Sequence, residues 1–226
     1  MCFSATASFA VSAALVPVGV YCLYETYRDR YCQAYWPFAL YPLFFGLQQA
    51  IEGWLWLTLE TGDPELIRMP ALGFVFFSHF FWLFWIPYSC YKIESVENKK
   101  RLFCIIAFMG GLFGLGMYLP VLIFADWMSV SLIQHSISYE LRLLLDDFVP
   151  RIVVRGAYVL VILVPLLLSS QKHLRYFGVI IALSVLLAAF LSANTFISVW
   201  CFFAAIMSCY MLYMFICLEK QKAVHY

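Results

Sequence analysis

Seven stretches of about 20 mainly apolar residues divide this chain, the length a helix needs to cross roughly 30 Å of hydrocarbon at about 1.5 Å per residue. Lipid offers no water to backbone N–H and C=O groups, so such stretches have to be helical. They are placed at Ser8–Glu25, Trp36–Leu59, Met69–Tyr91, Leu102–Phe124, Arg151–Ser169, Tyr176–Ala193 and Phe196–Leu218. The expectation is an all-α polytopic membrane protein, one seven-helix transmembrane domain over residues 1–226. Composition agrees: 65% of the residues are hydrophobic and 12% charged, whereas a soluble domain is about half apolar and about a quarter charged. A net charge of +1 with scattered Lys and Arg excludes a nucleic-acid partner, which requires a concentrated basic surface. No Lys or Arg precedes Arg28, so the first stretch lacks the basic region of a cleavable signal peptide and reads as a retained helix.

The charges alternate from one connection to the next. Arg28, Arg30, Lys92, Lys99, Lys100, Arg101, Lys172, Arg175, Lys220 and Lys222 fall on one side, against Arg68, Arg142, Arg151 and Arg155 on the other. By the positive-inside rule the richer side is cytoplasmic, which puts the N-terminus outside and the C-terminus in the cytoplasm. On the outside lies the longest connection, at about 125–150, a length more typical of functional segments than of plain connectors. Its second half, SYELRLLLDDF, is expected to form a short amphipathic helix, as a lid over the bundle or as an interfacial connector.

Polar groups inside a span are costly, by about 2.5–3.5 kcal/mol for a central charge. Gln48, Gln49 and Glu52 occupy the second span, and Ser78 and His79 the third. Gln48 and Glu52 share a helix face. Glu52 lies roughly 10–12 Å and His79 roughly 15 Å below the outer ends of their helices. Arg155, about one turn into the fifth span, is a third candidate member, with Ser192 and Asn194 near the outer end of the sixth. A carboxylate facing an Arg or a His makes both tolerable in a low dielectric. The functional reading is a polar chamber open to the outside, for binding, proton handling or catalysis; the competing reading is a hydrogen-bonded knot that only joins helices. Gly110 and Gly114 stand in GxxxG spacing on the fourth span, which favours close packing inside the bundle. Pro17, Pro42, Pro87 and Pro165 fall in inner halves of spans and are expected to kink them.

Several membrane chemistries fail residue by residue. The seventh span has no Lys before Lys220 for a retinal Schiff base, and His79 is the only His inside a span, too few for a bis-His haem. No convincing internal repeat of the transporter kind is present. Of the eight cysteines, Cys2 and Cys201 lie toward the oxidising side. They are candidates for a disulfide, or for a metal or redox site shared with His135 on the long connection, set against the reading of two unrelated small apolar residues.

The opening MCFSATASF, the second-span GLQQAIEGWLW, the loop QHSISY and the seventh-span SVWCFFAA together resemble a family of uncharacterised bacterial multi-pass membrane proteins. The resemblance covers nearly the whole chain. It implies a bacterial inner-membrane location and carries over no activity, substrate or cofactor. Two functions stay open: an outward-facing polar site centred on Glu52, binding a ligand or acting as a membrane-embedded enzyme, and a non-catalytic helical module that associates with a partner protein or lipid.

Overall fold

The computed structural model describes residues 4–133, 136–144, 146, 148–191 and 196–223. Helix α1 (Ala5–Arg28) starts at Ser4, whose hydroxyl accepts the Ala7 N–H at 3.2 Å, an N-cap that satisfies one of the free amides of the first turn. Two single turns come next, α2 (Arg30–Gln33) and α3 (Trp36–Ala39). The long α4 (Tyr41–Thr61) begins only after Leu40. Pro42 therefore sits in the first turn of α4, where its missing N–H has no partner to lose, and it initiates the helix rather than kinking it. Gly62, with φ 68°, ends α4 in the left-handed conformation that glycine adopts without steric penalty. Asp63 then caps α5 (Pro64–Val75) by accepting the Glu65 N–H at 2.9 Å.

Helix α5 continues without a break through a π-helical turn, Phe76–Phe81, into α6 (Trp82–Ile93). After α7 (Glu97–Ile123) and a 3₁₀ turn (Ala125–Trp127) the chain forms a β-hairpin, β1 (Met128–Ile133) and β2 (Ser136–Leu141), antiparallel with Val130 opposite Tyr139. Helices α8 (Arg151–Leu168), α9 (Lys172–Leu191), α10 (Phe196–Met207) and α11 (Tyr210–Ala223) complete it, the last two stepped at Ser208 and Cys209. Among the described residues, five segments are long and apolar enough to cross a membrane: Ala5–Arg28, Pro64–Ile93, Glu97–Ile123, Arg151–Leu168 and Ser198–Leu218. The other two long helices are α4 and α9, of 21 and 20 residues; α4 packs along α1 and buries Gln48, Gln49 and Glu52.

Consecutive long segments run antiparallel, as the contacts at their ends require. Tyr35 donates to Gln171 at 3.1 Å, and Lys99 donates to Ser170 at 3.1 Å, so the α1–α4, α6–α7 and α8–α9 connections meet at one end. At the other end Arg68 donates to the Leu122 carbonyl at 3.0 Å, and the hairpin covers the helix ends. Strand β2 is the inserted element, with Ile137, Tyr139 and Leu141 packed in a cluster with Leu55, Phe74, Val121 and Cys201.

The expected amphipathic helix within SYELRLLLDDF does not form; its first residues belong to β2. Apolar and polar residues alternate through Met128–Leu132 and again through Ser136–Leu141, the period of a strand and not of a helix. Gly110 and Gly114 do face inward. A Cβ on Gly114 would lie 2.8 Å from the Phe80 Cα and 2.9 Å from the His79 carbonyl oxygen, and one on Gly110 would strike the Leu83 carbonyl oxygen. Helix α7 thus rests its backbone directly on the π turn and α6.

At the loop end, Glu94 clips two connections together. One carboxylate oxygen accepts the Ser95 and Val96 N–H groups, both at 3.0 Å, and the other accepts the Ser170 N–H at 2.9 Å. Burial opposes the charge, but the hydrogen bonds from Ser170, Val96 and Ser95 outweigh it and hold the carboxyl below its usual value.

Gly114→Ala is expected to lower the thermal midpoint in detergent, by the equivalent of about 1–3 kcal/mol of overpacking. Gly116→Ala, where nothing lies within 4 Å of the new Cβ, should leave it unchanged or slightly raised. A depressed Glu94 stabilises the fold above its unfolded pKa of about 4.3 and loses that contribution as pH falls through the folded value. The stability gap between wild type and Glu94→Gln, measured by thermal unfolding from pH 7 downward, should therefore be open at neutral pH and close in acid.

Candidate functional site

The end of the bundle that carries the hairpin contains a cavity of about 100 Å³, several times the ~10–15 Å³ that one water requires. Its wall on the α5–α6 side is the π turn, which contributes Ser78 and His79. In this wider turn the Trp82 N–H bonds to the Phe77 carbonyl, five residues back. The Ser78 carbonyl instead accepts the Tyr158 hydroxyl from α8. The Ser78 hydroxyl and His79 Nδ1 lie 2.9 Å apart, so the buried imidazole has a local partner.

Helix α8 supplies Arg151, Arg155 and Tyr158 to the same cavity, and α10 supplies Trp200 and Cys201. Spacings of three and four residues put the α8 groups on one face. Tyr158 and Trp200 meet edge to face, centroids 5.4 Å apart. The hairpin closes the remaining side with Tyr139, whose ring stacks on Phe74 at 4.8 Å. The Tyr139 hydroxyl is buried and has no hydrogen-bond partner among the described residues. Arg151 latches the segment after β2: its guanidinium donates to the Leu141 carbonyl at 3.0 Å and to Asp146 at 2.9 Å, and Asp146 accepts the Leu143 N–H at 2.9 Å.

Glu52 is not on the cavity surface. It is 1% exposed, and its two oxygens are taken by Ser198 of α10, donating at 2.5 Å, and by Gln49, donating at 3.1 Å. Gln48 accepts the Trp82 indole N–H at 2.8 Å. His79 and Arg155 do line one cavity, but among the described residues no hydrogen bond or ion pair joins either to Glu52. The expected Glu52–His79–Arg155 cluster is thus divided in two: a buried Gln49–Glu52–Ser198 knot linking α4 to α10, and a cavity beside it. Arg155 does not descend because it is exposed on α8, with the hairpin and solvent within reach and no need to desolvate its charge.

Cys201 is buried, at the cavity wall and three residues beyond Ser198. Cys2, His135 and Asn194 lie outside the described residues, so the bridge and the shared metal or redox site remain expectations. Among the described residues, no three His, Cys, Asp or Glu side chains gather around a common point.

A family model matches residues 1–225, and its description is "Family of unknown function (DUF6629)". The chain belongs to that family. No curated protein and no solved structure matches it. In this DUF6629 member the residues missed by sequence reasoning are Ser198, Tyr139, Tyr158 and Arg151, the last read only as a charge that sets orientation. Ser198 had only a weak signal, since the same apolar stretch also carries Ser208. Tyr158 had none, since a Tyr in the outer part of a span reads equally well as an interfacial anchor, and Tyr139 had none because it lies on the long connection, outside every apolar stretch.

Proposed function

We propose that this chain is an integral membrane protein of seven spans, with its N-terminus outside and its C-terminus in the cytoplasm, and that it carries an outward-facing polar site for a ligand. Supporting the orientation, Arg30, Lys92, Lys99, Lys100, Lys172 and Arg175 belong to the loop end, opposite the hairpin. The family resemblance favours a bacterial inner membrane. The observation that carries the site is the convergence of His79, Arg151, Arg155 and Tyr158 on one cavity at the hairpin end, since isolated anchors would not share a space. Glu52 acts from behind this cavity, through α10: it holds Ser198, and Cys201 and Trp200 on the same helix form the wall. Binding is the better supported activity, and catalysis within the membrane is its extension.

One observation favours a second reading. Both Glu52 oxygens are occupied, one by Gln49 on its own helix and the other by Ser198, which joins α4 to α10, as a purely structural polar contact would be; the chain would then be a helical module for a partner protein or lipid.

Tags at the two termini should be accessible from opposite faces of intact cells, the C-terminal one only after the membrane is opened; the reverse result overturns the orientation. For the site, native mass spectrometry of protein extracted from its own membrane should show a retained small molecule. Glu52→Gln keeps shape and the acceptor for Ser198, with the second bond remade when Gln49 turns its free amide oxygen to the new NH2, and is expected to stay folded and lose that species. If Glu52→Gln retains it and only Glu52→Ala lowers the thermal midpoint, the carboxylate joins helices and nothing more.

A further inference from the structure

The charge on the cavity is one-sided. Two guanidinium groups line it, and no Asp or Glu among the described residues does. Arg151 is compensated from outside the wall, by Asp146 at 2.9 Å. Arg155 has no hydrogen-bond or ion-pair partner among the described residues. A guanidinium beside a partly desolvated space is a strong binder of planar or tetrahedral oxyanions, through paired charge-assisted hydrogen bonds. The buried Tyr139 hydroxyl, unpartnered among the described residues and lining the same cavity from the hairpin, is a second group left to be satisfied by an acceptor that the protein does not provide.

Beside Ser78 and His79 of the π turn, the wall is completed by apolar Met117, Leu141, Leu143 and Val154. Behind it lies a second cavity of about 30 Å³, lined by Phe45, Trp82, Ile162, Phe177 and other apolar side chains. The two share Tyr158, Trp200 and Cys201 as a common partition. A cationic mouth backed by apolar space is the outline of an amphiphile, with its head at the hairpin end and its chain toward the bundle core.

We propose that the cavity binds the oxyanion head of a single-chain amphiphile, a carboxylate or a phosphate, on Arg155, with the chain passing Tyr158 and Trp200 toward the apolar cavity. This rests on the preceding reading that the cavity is a ligand site. The shared chemistry is the oxyanion, and its source, a fatty carboxylate, an alkyl phosphate or a free inorganic anion, is for experiment to separate.

The test uses the full chain in phosphatidylcholine nanodiscs and equilibrium binding of radiolabelled octanoate, with empty nanodiscs as blank. Saturable binding is expected, displaced by octyl phosphate and not by octyltrimethylammonium. Affinity should rise roughly fourfold per methylene from hexanoate to octanoate as chain is buried. Arg155→Ala should weaken binding at least about tenfold, the worth of one hydrogen bond to a charged group. Arg155→Lys should recover part of it, and both variants should keep the wild-type thermal midpoint because Arg155 is exposed and unpartnered. Displacement by acetate or inorganic phosphate as effective as by the octyl compounds would overturn the chain part. Preference for the cationic probe, indifference to Arg155→Ala, or no saturable binding would overturn the proposal. Those failures leave the ligand-site reading to be judged separately, by whether Glu52→Gln still loses the species that co-purifies.

Discussion

Helix α7 approaches the middle of the α5–α6 segment so closely that no side chain fits at Gly110 or Gly114. Everything at the hairpin end depends on that approach. In a membrane, apolar side chains gain little by leaving lipid for one another, so close backbone packing takes over as the source of helix association. Where α7 presses on it, the partner helix is a π turn and not an α turn. The altered hydrogen-bond pattern leaves the Ser78 carbonyl to the Tyr158 hydroxyl and so docks α8 on the same turn. Gly114 therefore holds the π turn against which α8 is fixed, Gly110 holds the start of α6 beside it, and the cavity is the space between the π turn, α8 and the hairpin.

The hairpin marks the limit of reading such a chain by helical periodicity. The long helices were legible because a run of about 20 apolar residues has few other meanings. Outside them that constraint vanishes, and short windows fit more than one period. SYELRLLLDDF has leucines at helical spacing, yet its opening continues the strict alternation of Ser136–Leu141, which pairs with the equally alternating Met128–Leu132. Two matched period-two segments, of five and six residues, are stronger evidence of a hairpin than one helical window, because each strand satisfies the other's backbone. Helix boundaries suffered less. Helix α4 starts at Tyr41 and not at Trp36 because Trp36–Ala39 forms a separate turn, a distinction that hydropathy does not carry.

The polar residues were legible as a set and not as an arrangement. Gln48, Gln49, Glu52 and His79 stand out because each is expensive in a span, and the structure buries all four. Depth alone suggested that Glu52 would meet a cation. The neighbour it finds is Ser198, contributed by a helix 146 residues away. A hydroxyl is a weak sequence signal since Ser is common in membrane helices, where it can turn back onto its own backbone, as Ser184 does to Ile181. Which Ser turns outward to another helix is decided by packing, and packing cannot be read from one chain's periodicity.

This division between knot and cavity has a mechanical consequence. Ser198, Trp200 and Cys201 stand within one turn of α10, so the group that grips Glu52 and the groups that wall the cavity move together or not at all. A short helix can shift only as a unit, because its internal hydrogen bonds cost more to break than one side-chain contact at its end. Helix α10 passes into α11 through the step at Ser208 and Cys209, which stays hydrogen-bonded across, with the Met211 N–H bonded to the Ser208 carbonyl at 2.9 Å. Occupancy of the cavity would therefore be felt at the Glu52–Ser198 contact even though Glu52 never touches the occupant. Glu52 would act on the site as a positioning group, and its carboxylate would report on the cavity through α10 alone.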